Sequence, residues 1–157
     1  LGLVRLGLRS AAEVRRAHAE LVEAAGPELE GVLVCEQVAG GVETVVGVAN
    51  DELFGPTVLF GLGGVFIEVL RDVTFRVPPF DRAEARRMVG EVKGHPLLRG
   101  ARGRPPADVG ALVEVIMRVQ RLAVDHDATL AELDINPLVV LPEGRGAKAL
   151  DALLVTR

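Results

Sequence analysis

Apolar runs of strand type cluster in the middle and at the end of this chain, and helix-type segments lie on either side of them. Such runs cover residues 42–48 and 57–60, and two more, 130–141 and 147–155, close the chain. In a doubly wound parallel sheet, strands and helices would alternate along the whole sequence. The clustering instead favours an α+β fold, with a mostly antiparallel sheet flanked by helices.

Three segments have the apolar spacing of amphipathic helices, and each follows a residue that can cap a helix. Ser10 and Asp81 are both followed three residues later by a glutamate, which is the pattern of a capping box. Asp108 precedes the longest segment, which extends to about Asp125. Gly26-Pro27 ends the first helix, because proline cannot continue the hydrogen-bond ladder.

Other segments are expected to be strands or loops. The apolar residues of 1–8 and 32–35 predict two strands, and Cys35 is expected to be a packed core thiol. Residues 68–77 alternate between apolar and polar side chains and predict a further strand. Six glycines and prolines between 94 and 107 predict a loop with at most a short helical turn.

The composition excludes several classes of protein. With 157 residues, 49% of them hydrophobic and 25% charged, the chain can bury a core without a disulfide or a structural metal. A net charge of −4 and the absence of Trp and Tyr argue against a nucleic-acid-binding surface. No apolar run is long enough to span a membrane. A single cysteine is typical of a protein of the reducing cytoplasm.

The final pair of strands carries the most informative polar residues. If residues 142–145 form a four-residue loop, counting back along both strands sets Asn136 opposite Asp151, with Asp134 further along the same face. Carboxylate and amide oxygens at this range suit Mg²⁺, which takes few protein ligands and binds substrate phosphates as well. The alternative is structural: Asn136 starts a turn with the following proline, and Asp151 is merely exposed.

Three further segments carry weaker signals. Glu36 and Glu43 flank Gly40-Gly41. Carboxylates at strand ends beside a glycine turn can bond sugar hydroxyls or share a metal site, although a hairpin with polar ends is the simpler explanation. Residues 61–64 contain three glycines that allow close approach to a phosphate. They lack the third glycine of the dinucleotide fingerprint and a Walker lysine. The arginine-rich loop at 99–104 meets an anionic ligand, a partner domain or solvent.

Four motifs occur in order along nearly the whole chain. They are Glu36-x6-Glu43, Phe60-Gly-Leu-Gly-Gly-Val-x-x-Glu68, Arg102-Gly-Arg-Pro-Pro-Ala-Asp108, and Glu132-Leu-Asp-Ile-Asn-Pro-Leu138 followed by Asp151. With these motifs the chain resembles the ATP-grasp region of ADP-forming acyl-CoA synthetases, also called acetate–CoA ligases. It is more distantly similar to the β subunit of succinyl-CoA synthetase.

The resemblance implies a nucleotide-binding module of an enzyme. Enzymes of this family interconvert acyl-CoA, ADP and phosphate with acid, CoA and ATP, through a phosphohistidine on another domain or subunit. ATP or ADP and Mg²⁺ are the implied cofactors. The implied partners are the CoA-binding and phosphohistidine domains or subunit of the parent enzyme, in an oligomer, and neither nucleic acid nor membrane is implied.

The resemblance also implies roles for individual residues. Asn136 and Asp151 match the family's Mg²⁺ ligands, and Asp134 is a weaker candidate, as a ligand or as a group behind one. The remaining matches concern the nucleotide. Cys35 and Glu36 match the strand that borders the adenine, and Glu43 matches a catalytic glutamate at the nucleotide. Gly63-Gly64 resembles a segment that faces either the nucleotide or the phosphohistidine loop.

The sequence departs from the family in what precedes the first motif. An ATP-grasp domain holds its nucleotide between two lobes, and the first lobe normally supplies a lysine and a glycine-rich loop for the phosphates. The two lysines of this chain, Lys93 and Lys148, lie outside the motifs. We therefore expect residues 1–157 to form a partial ATP-grasp domain that is inactive alone. Two alternatives stay open: another ATP-grasp carboxylate ligase, and a non-catalytic interaction or regulatory domain.

Overall fold

The chain forms two compact units, Leu1–Ala39 and Gly40–Arg157. The structure, a computed structural model, describes residues 2–51, 53–64 and 71–157. Within these ranges, no helix has the length and apolar character needed to cross a membrane.

One helix, α1, dominates the first unit and spans Ala11–Ala25, followed by a 3₁₀ turn at Gly26–Glu28. The hydroxyl of Ser10 caps this helix by accepting from the backbone N–H of Glu13 at 3.2 Å. The Glu13 carboxylate accepts in turn from the N–H of the residue before the cap, at 2.6 Å. The helix cap expected at Ser10 is therefore present, whereas Glu13 reaches back to Arg9 and not, as in a capping box, to the N–H of Ser10 itself.

The two strands expected in the first unit are wrong. Residues 2–9 and 29–39 have no regular secondary structure, Leu33 and Val34 are 87% and 71% exposed, and Cys35 is exposed as well. A strand is stable only when its backbone N–H and C=O groups find a partner strand. Residues 2–39 as described contain no second strand to serve as one.

An antiparallel sheet and two α-helices make up the described part of the second unit. The strands are β1 (Val42–Asp51), β2 (Gly55–Leu62), β3 (Val73–Arg76), β4 (Leu130–Val140), β5 (Ala147–Ala149) and β6 (Ala152–Thr156), and the helices are α2 (Arg82–Glu91) and α3 (Val109–Asp125). The strand order is β3-β2-β1-β4-β5, and β6 pairs with another stretch of β4. The predicted α+β fold with a mostly antiparallel sheet is confirmed.

The core lies between the sheet and the two helices. Alternate side chains of the strands pack there against apolar residues of α2 and α3: Val46, Val48, Val58, Phe60, Leu133, Leu138 and Val140 meet Met88, Val89, Leu112 and Ile116. Burial of each such side chain contributes about 1.5–3 kcal/mol. Because strand side chains alternate, Glu43, Val45 and Gly47 of β1 lie on the opposite face, called the far face below.

The connections around β3 and α2 differ in part from expectation. Strand β3 is shorter than the strand expected over 68–77, and Glu68 lies outside the described residues. Arg76 at its end pairs with Glu84 and Glu91 of α2, at 2.6 and 2.7 Å. This arginine therefore ties the edge strand to the helix.

The long loop before α3 is a loop, as expected. It contains two short 3₁₀ turns, His95–Leu97 and Ala101–Gly103. The buried carboxylate of Asp72 fixes its beginning by accepting from the backbone N–H groups of Lys93 and Gly94, both at 2.8 Å. The loop is thus anchored at one end to the residue that precedes β3.

Candidate functional site

A β-bulge interrupts the pairing of β4 with β1. The register of the two strands changes between Thr44 and Val46 of β1. As a result, Asn136 and Pro137, joined by a cis peptide bond, lie opposite the single residue Val45. Bulges re-aim side chains and are common next to functional sites.

The bulge lets β4 keep apolar side chains in the core both before and after Asn136. Ile135 precedes the bulge and Leu138 follows it, and both side chains pack in the core that α2 and α3 cover. In an unbroken strand, residues three apart would point to opposite faces. The bulge absorbs the extra residue, so Asn136 and Pro137 share the far face with Val45, and the side chain of Asn136 is exposed.

Asp151 lies directly across from Asn136. The backbone N–H of Asn136 donates to the carbonyl of Asp151 at 3.2 Å, and the N–H of Leu150 donates to the carbonyl of Pro137 at 3.0 Å. The four-residue loop at 142–145 and the register predicted from it are therefore confirmed. Cross-strand partners share a face, so Asp151 joins Asn136 on the far face.

Asp134 completes the group of oxygen-bearing side chains on this hairpin. It pairs with Leu153, two residues beyond Asp151, which makes it a diagonal neighbour of that aspartate. One oxygen of the Asp151 carboxylate accepts from the N–H of Ala152 at 2.8 Å. Its other oxygen has no hydrogen bond to a neighbouring backbone group among the described residues.

Glu43 and the Gly63-Gly64 turn lie together. The carbonyl of Glu43 accepts from the N–H of Gly63 at 2.8 Å. A Cβ built on Gly63 would lie 3.2 Å from the Cβ of Glu43, and one built on Gly64 would lie 3.7 Å from its carboxylate Oε2. Gly64 also has a φ of +62°, which favours glycine. The glycines thus let the turn approach the strand that carries the carboxylate.

Glu43 also lies beside the hairpin, as predicted. It pairs with Val139 of β4, and Val139 pairs with Lys148 of β5. With strands about 4.8 Å apart and residues advancing about 3.3 Å, the Cα atoms of Glu43 and the bulge are roughly 8 Å apart. Because Glu43, Val139 and Lys148 are cross-strand neighbours, Lys148 also lies on the far face. The motifs gave no reason to expect a lysine at this position.

The donor set of the hairpin fits Mg²⁺ shared with a nucleotide. Asp134, Asn136 and Asp151 offer two carboxylates and one amide oxygen. Among the described residues, no group of three or more His, Cys, Asp and Glu side chains could hold a metal by itself. Mg²⁺ usually keeps several waters and binds one or two carboxylates together with substrate phosphates. The hairpin therefore suits a metal that arrives with its ligand.

Cys35 and Glu36 belong to the first unit. Both lie in residues 29–39, which have no strand, so the expectation of a strand at this point is wrong. Their contact with an adenine ring remains a prediction from the resemblance.

Comparison with known proteins gives the family. A family model described as an ATP-grasp domain matches residues 1–155. The β subunit of acetate–CoA ligase (ADP-forming) II from Pyrococcus furiosus is 38% identical over 160 residues, which covers 99% of this chain and 68% of that subunit. The chain belongs to the ATP-grasp family, together with the β subunits of ADP-forming acetate–CoA ligases. The resemblance carried by the four motifs is confirmed.

Solved structures agree with this ATP-grasp assignment. The dinucleotide-forming acetyl-CoA synthetase 1 of Ca. Korarchaeum cryptofilum has been solved in complex with coenzyme A and Mg-AMPPCP, with a phosphohistidine segment pointing towards the nucleotide-binding site. It matches 98% of this chain with a TM-score of 0.85 and 42% identity, and the chain covers 67% of it. The ATP-grasp fold is therefore confirmed.

A second relative shows how widely the acyl substrates of this family vary. The 4-hydroxybutyrate–CoA ligase (ADP-forming) of Nitrosopumilus maritimus is 39% identical over 155 residues, which is 96% of this chain. The chain spans 22% of that longer protein. These two relatives of nearly equal identity are therefore named for different acyl groups, acetate and 4-hydroxybutyrate.

One carboxylate near the hairpin of this ATP-grasp chain has a lowered pKa. The backbone N–H of Ala111, and then those of Gly146 and Gly144, hold the pKa of Asp108 below its ordinary value of 3.8. The carboxylate of Asp108 therefore binds a proton less tightly in the folded protein than in the unfolded chain. The stabilisation that ionised Asp108 provides is complete above about pH 4 and is lost as the pH falls below that value.

We expect this loss to be visible in the thermal unfolding of the ATP-grasp chain. The difference in Tm between the wild-type chain and Asp108→Asn should shrink as the pH is lowered from about 6 to about 3. Far-UV circular dichroism measures both transitions, and all other carboxylates are common to the two proteins and cancel. A difference that stays constant over this range would contradict the assignment of the lowered pKa.

Proposed function

We propose that this chain supplies the ATP- or ADP-binding and Mg²⁺-binding face of an ADP-forming acid–CoA ligase. The observation that carries the proposal is the pairing of Asn136 with Asp151 across the hairpin, one strand away from Glu43. Three oxygen-bearing residues, far apart in sequence, thereby occupy one region of the far face. The complex of a related synthetase with Mg-AMPPCP supports the same ligand class.

In the proposed reaction, acyl-CoA, ADP and phosphate are converted to acid, CoA and ATP. A histidine elsewhere in the enzyme carries the phosphoryl group. Phosphoryl transfer depends mainly on positioning and on neutralising the charge of the phosphates. When bound, Mg²⁺ supplies that neutralisation. The amide oxygen of Asn136 and the carboxylate of Asp151 would hold it, and Asp134 would bind it or orient a ligand.

Glu43 and the glycine turn would act on the nucleotide. The carboxylate of Glu43 is exposed on the far face, beside the Gly63-Gly64 turn. A turn without Cβ atoms lets backbone N–H groups approach a phosphate or an incoming protein loop closely. Glu43 would then orient the nucleotide–Mg²⁺ complex from one strand away.

The partners proposed are a CoA-binding domain and a phosphohistidine-bearing domain or subunit, assembled in the cytoplasm as an oligomer. The related synthetase has both coenzyme A and a phosphohistidine segment directed at its nucleotide site. We further propose that residues 1–157 are part of an ATP-grasp domain whose lysine-bearing lobe lies elsewhere in the enzyme.

Calorimetric titration of Mg-AMPPCP tests this proposal. Mg²⁺ with two or three protein ligands binds weakly unless phosphates complete its shell. We therefore expect weak but Mg²⁺-dependent binding to the chain alone, and tighter binding to the complete ligase that contains it. Binding that does not depend on Mg²⁺, or no binding to the complete ligase, would reject the proposed function. Tight binding to the chain alone, with no gain in the ligase, would reject the partial-domain proposal.

A further inference from the structure

Asp108 makes more hydrogen bonds than a helix cap needs. Its Oδ1 accepts from the backbone N–H of Ala111 at 2.9 Å, which caps α3. Its Oδ2 accepts from the N–H groups of Gly144 and Gly146, both at 3.0 Å. These two glycines belong to the loop between β4 and β5, so a single carboxylate joins the start of a helix to the tip of the hairpin.

The cap of α2 shows what an ordinary cap does in the same chain. Asp81 accepts from the backbone N–H of Glu84 at 2.7 Å, with the same spacing and chemistry as at Asp108. This hydrogen bond stays within its own helix. Asp81 is therefore a matched control for the capping function of Asp108 alone.

Backbone hydrogen bonds continue the connection on both sides of Asp108. Its N–H donates to the carbonyl of Leu141 at 2.8 Å, and the N–H of Glu143 donates to the carbonyl of Pro106 at 2.9 Å. An isolated bridge pairs Ala107 with Pro142. The last residues of the Arg102–Asp108 motif thus run alongside the hairpin loop as a short antiparallel partner.

The loop held in this way shares one register with the proposed metal-binding residues of the hairpin. Leu141 pairs with Gly146, and the same register continues without a shift to the pairing of Asn136 with Asp151. Gly144 and Gly146 have φ values of +76° and +79°, which favour glycine at both places. A slip of one residue would turn every side chain of one strand to the other face.

We propose that Asp108 is a positioning residue for the Mg²⁺-binding hairpin: by holding the loop at Gly144 and Gly146, it fixes the register in which Asn136 and Asp151 meet. The proposal rests on the proposed function for the role of those two ligands. It also gives a role to the end of the Arg102–Asp108 motif, at Pro106, Ala107 and Asp108.

Two substitutions separate the cap from the loop contact. In Asp108→Asn, the amide oxygen still caps α3, whereas the NH₂ group cannot accept from Gly144 and Gly146. In Asp108→Ser, the hydroxyl likewise caps the helix and is too short to reach the loop as well. Asp81→Asn and Asp81→Ser are the controls. If one Asp108 variant fails to fold, the other provides the test.

The experiment measures AMPPCP binding against Mg²⁺ concentration in the complete ligase, and hydrogen exchange of residues 136–152. For the Asp108 variants we expect the Mg²⁺ concentration for half-saturation to rise about tenfold. Hydrogen exchange should become faster in the hairpin while α3 stays protected. The Asp81 variants should change neither quantity. Asp108 variants that match the Asp81 variants in both measurements would overturn the proposal.

The two proposals fail in different ways. If the wild-type ligase shows no Mg²⁺-dependent binding, the proposed function fails, and the hydrogen exchange of the hairpin still tests whether Asp108 holds the register. If the wild-type ligase binds with Mg²⁺ and the Asp108 variants exchange and bind as the wild type does, only the positioning role fails.

Discussion

Replacement of Asp151 by asparagine should reduce the rate of ATP formation by the complete ligase at least about 100-fold at a fixed, low Mg²⁺ concentration. The amide oxygen can still accept from the N–H of Ala152, the contact that the carboxylate makes now. The substitution therefore removes a negative charge and a metal ligand while the backbone pairing with Asn136 stays in place. Added Mg²⁺ should restore part of the rate, since the site is weakened and not destroyed.

Glu132→Gln is the matched control for this substitution. Glu132 is an exposed carboxylate of β4 that pairs with Val155 of β6, in the same register as the Asn136–Asp151 pair. It lies four residues from Asn136, or roughly 13 Å along the strand, too far to share the same ion. The initial rate at several Mg²⁺ concentrations is the measurement. Equal rates for Asp151→Asn and Glu132→Gln would show that Asp151 does not bind the metal.

Replacement of Glu43 by glutamine should lower kcat about 10- to 100-fold without a change in Tm. The side chain is exposed, and the contact that fixes the strand to the glycine turn is made by the carbonyl of Glu43, which the substitution keeps. The loss of the charge therefore affects the nucleotide–Mg²⁺ complex and leaves the fold unchanged. Steady-state kinetics with ADP and phosphate, together with thermal unfolding, measure the two effects separately.

The outcome that would contradict a role for Glu43 is an unchanged kcat with an unchanged Tm, which would leave the carboxylate as a surface group. Glu132→Gln again serves as the control for removal of one negative charge from the far face. A lower kcat in both variants would point to the total charge of this face and away from a particular contact of Glu43.

Local features of the fold could be predicted from the sequence because they depend on neighbouring residues. The caps at Ser10, Asp81 and Asp108 need only a side chain and an N–H three residues away. The register of the hairpin follows from the length of its loop, since each residue advances the pairing by one. The pairing of Asn136 with Asp151 could therefore be predicted by counting residues back from the loop.

Features that depend on a partner segment could not be predicted in this way. The apolar residues of 1–8 and 32–35 have strand composition, yet a strand forms only where another strand accepts its hydrogen bonds. For the same reason Cys35 is exposed and not a core thiol. The composition of a segment gives its tendency to form a strand, whereas the presence of a neighbouring strand decides whether it pairs.

The sequence by itself determined the helices, the hairpin register and the family motifs of this protein, because these rest on spacing along the chain. Only the tertiary structure decided that a bulge at Asn136 and Pro137 keeps Leu138 in the core, and that Glu43 lies one strand from the hairpin. It alone decided that Asp108 reaches the loop at Gly144 and Gly146, 36 and 38 residues further along the chain. Such contacts depend on how distant segments pack, and no local spacing records them.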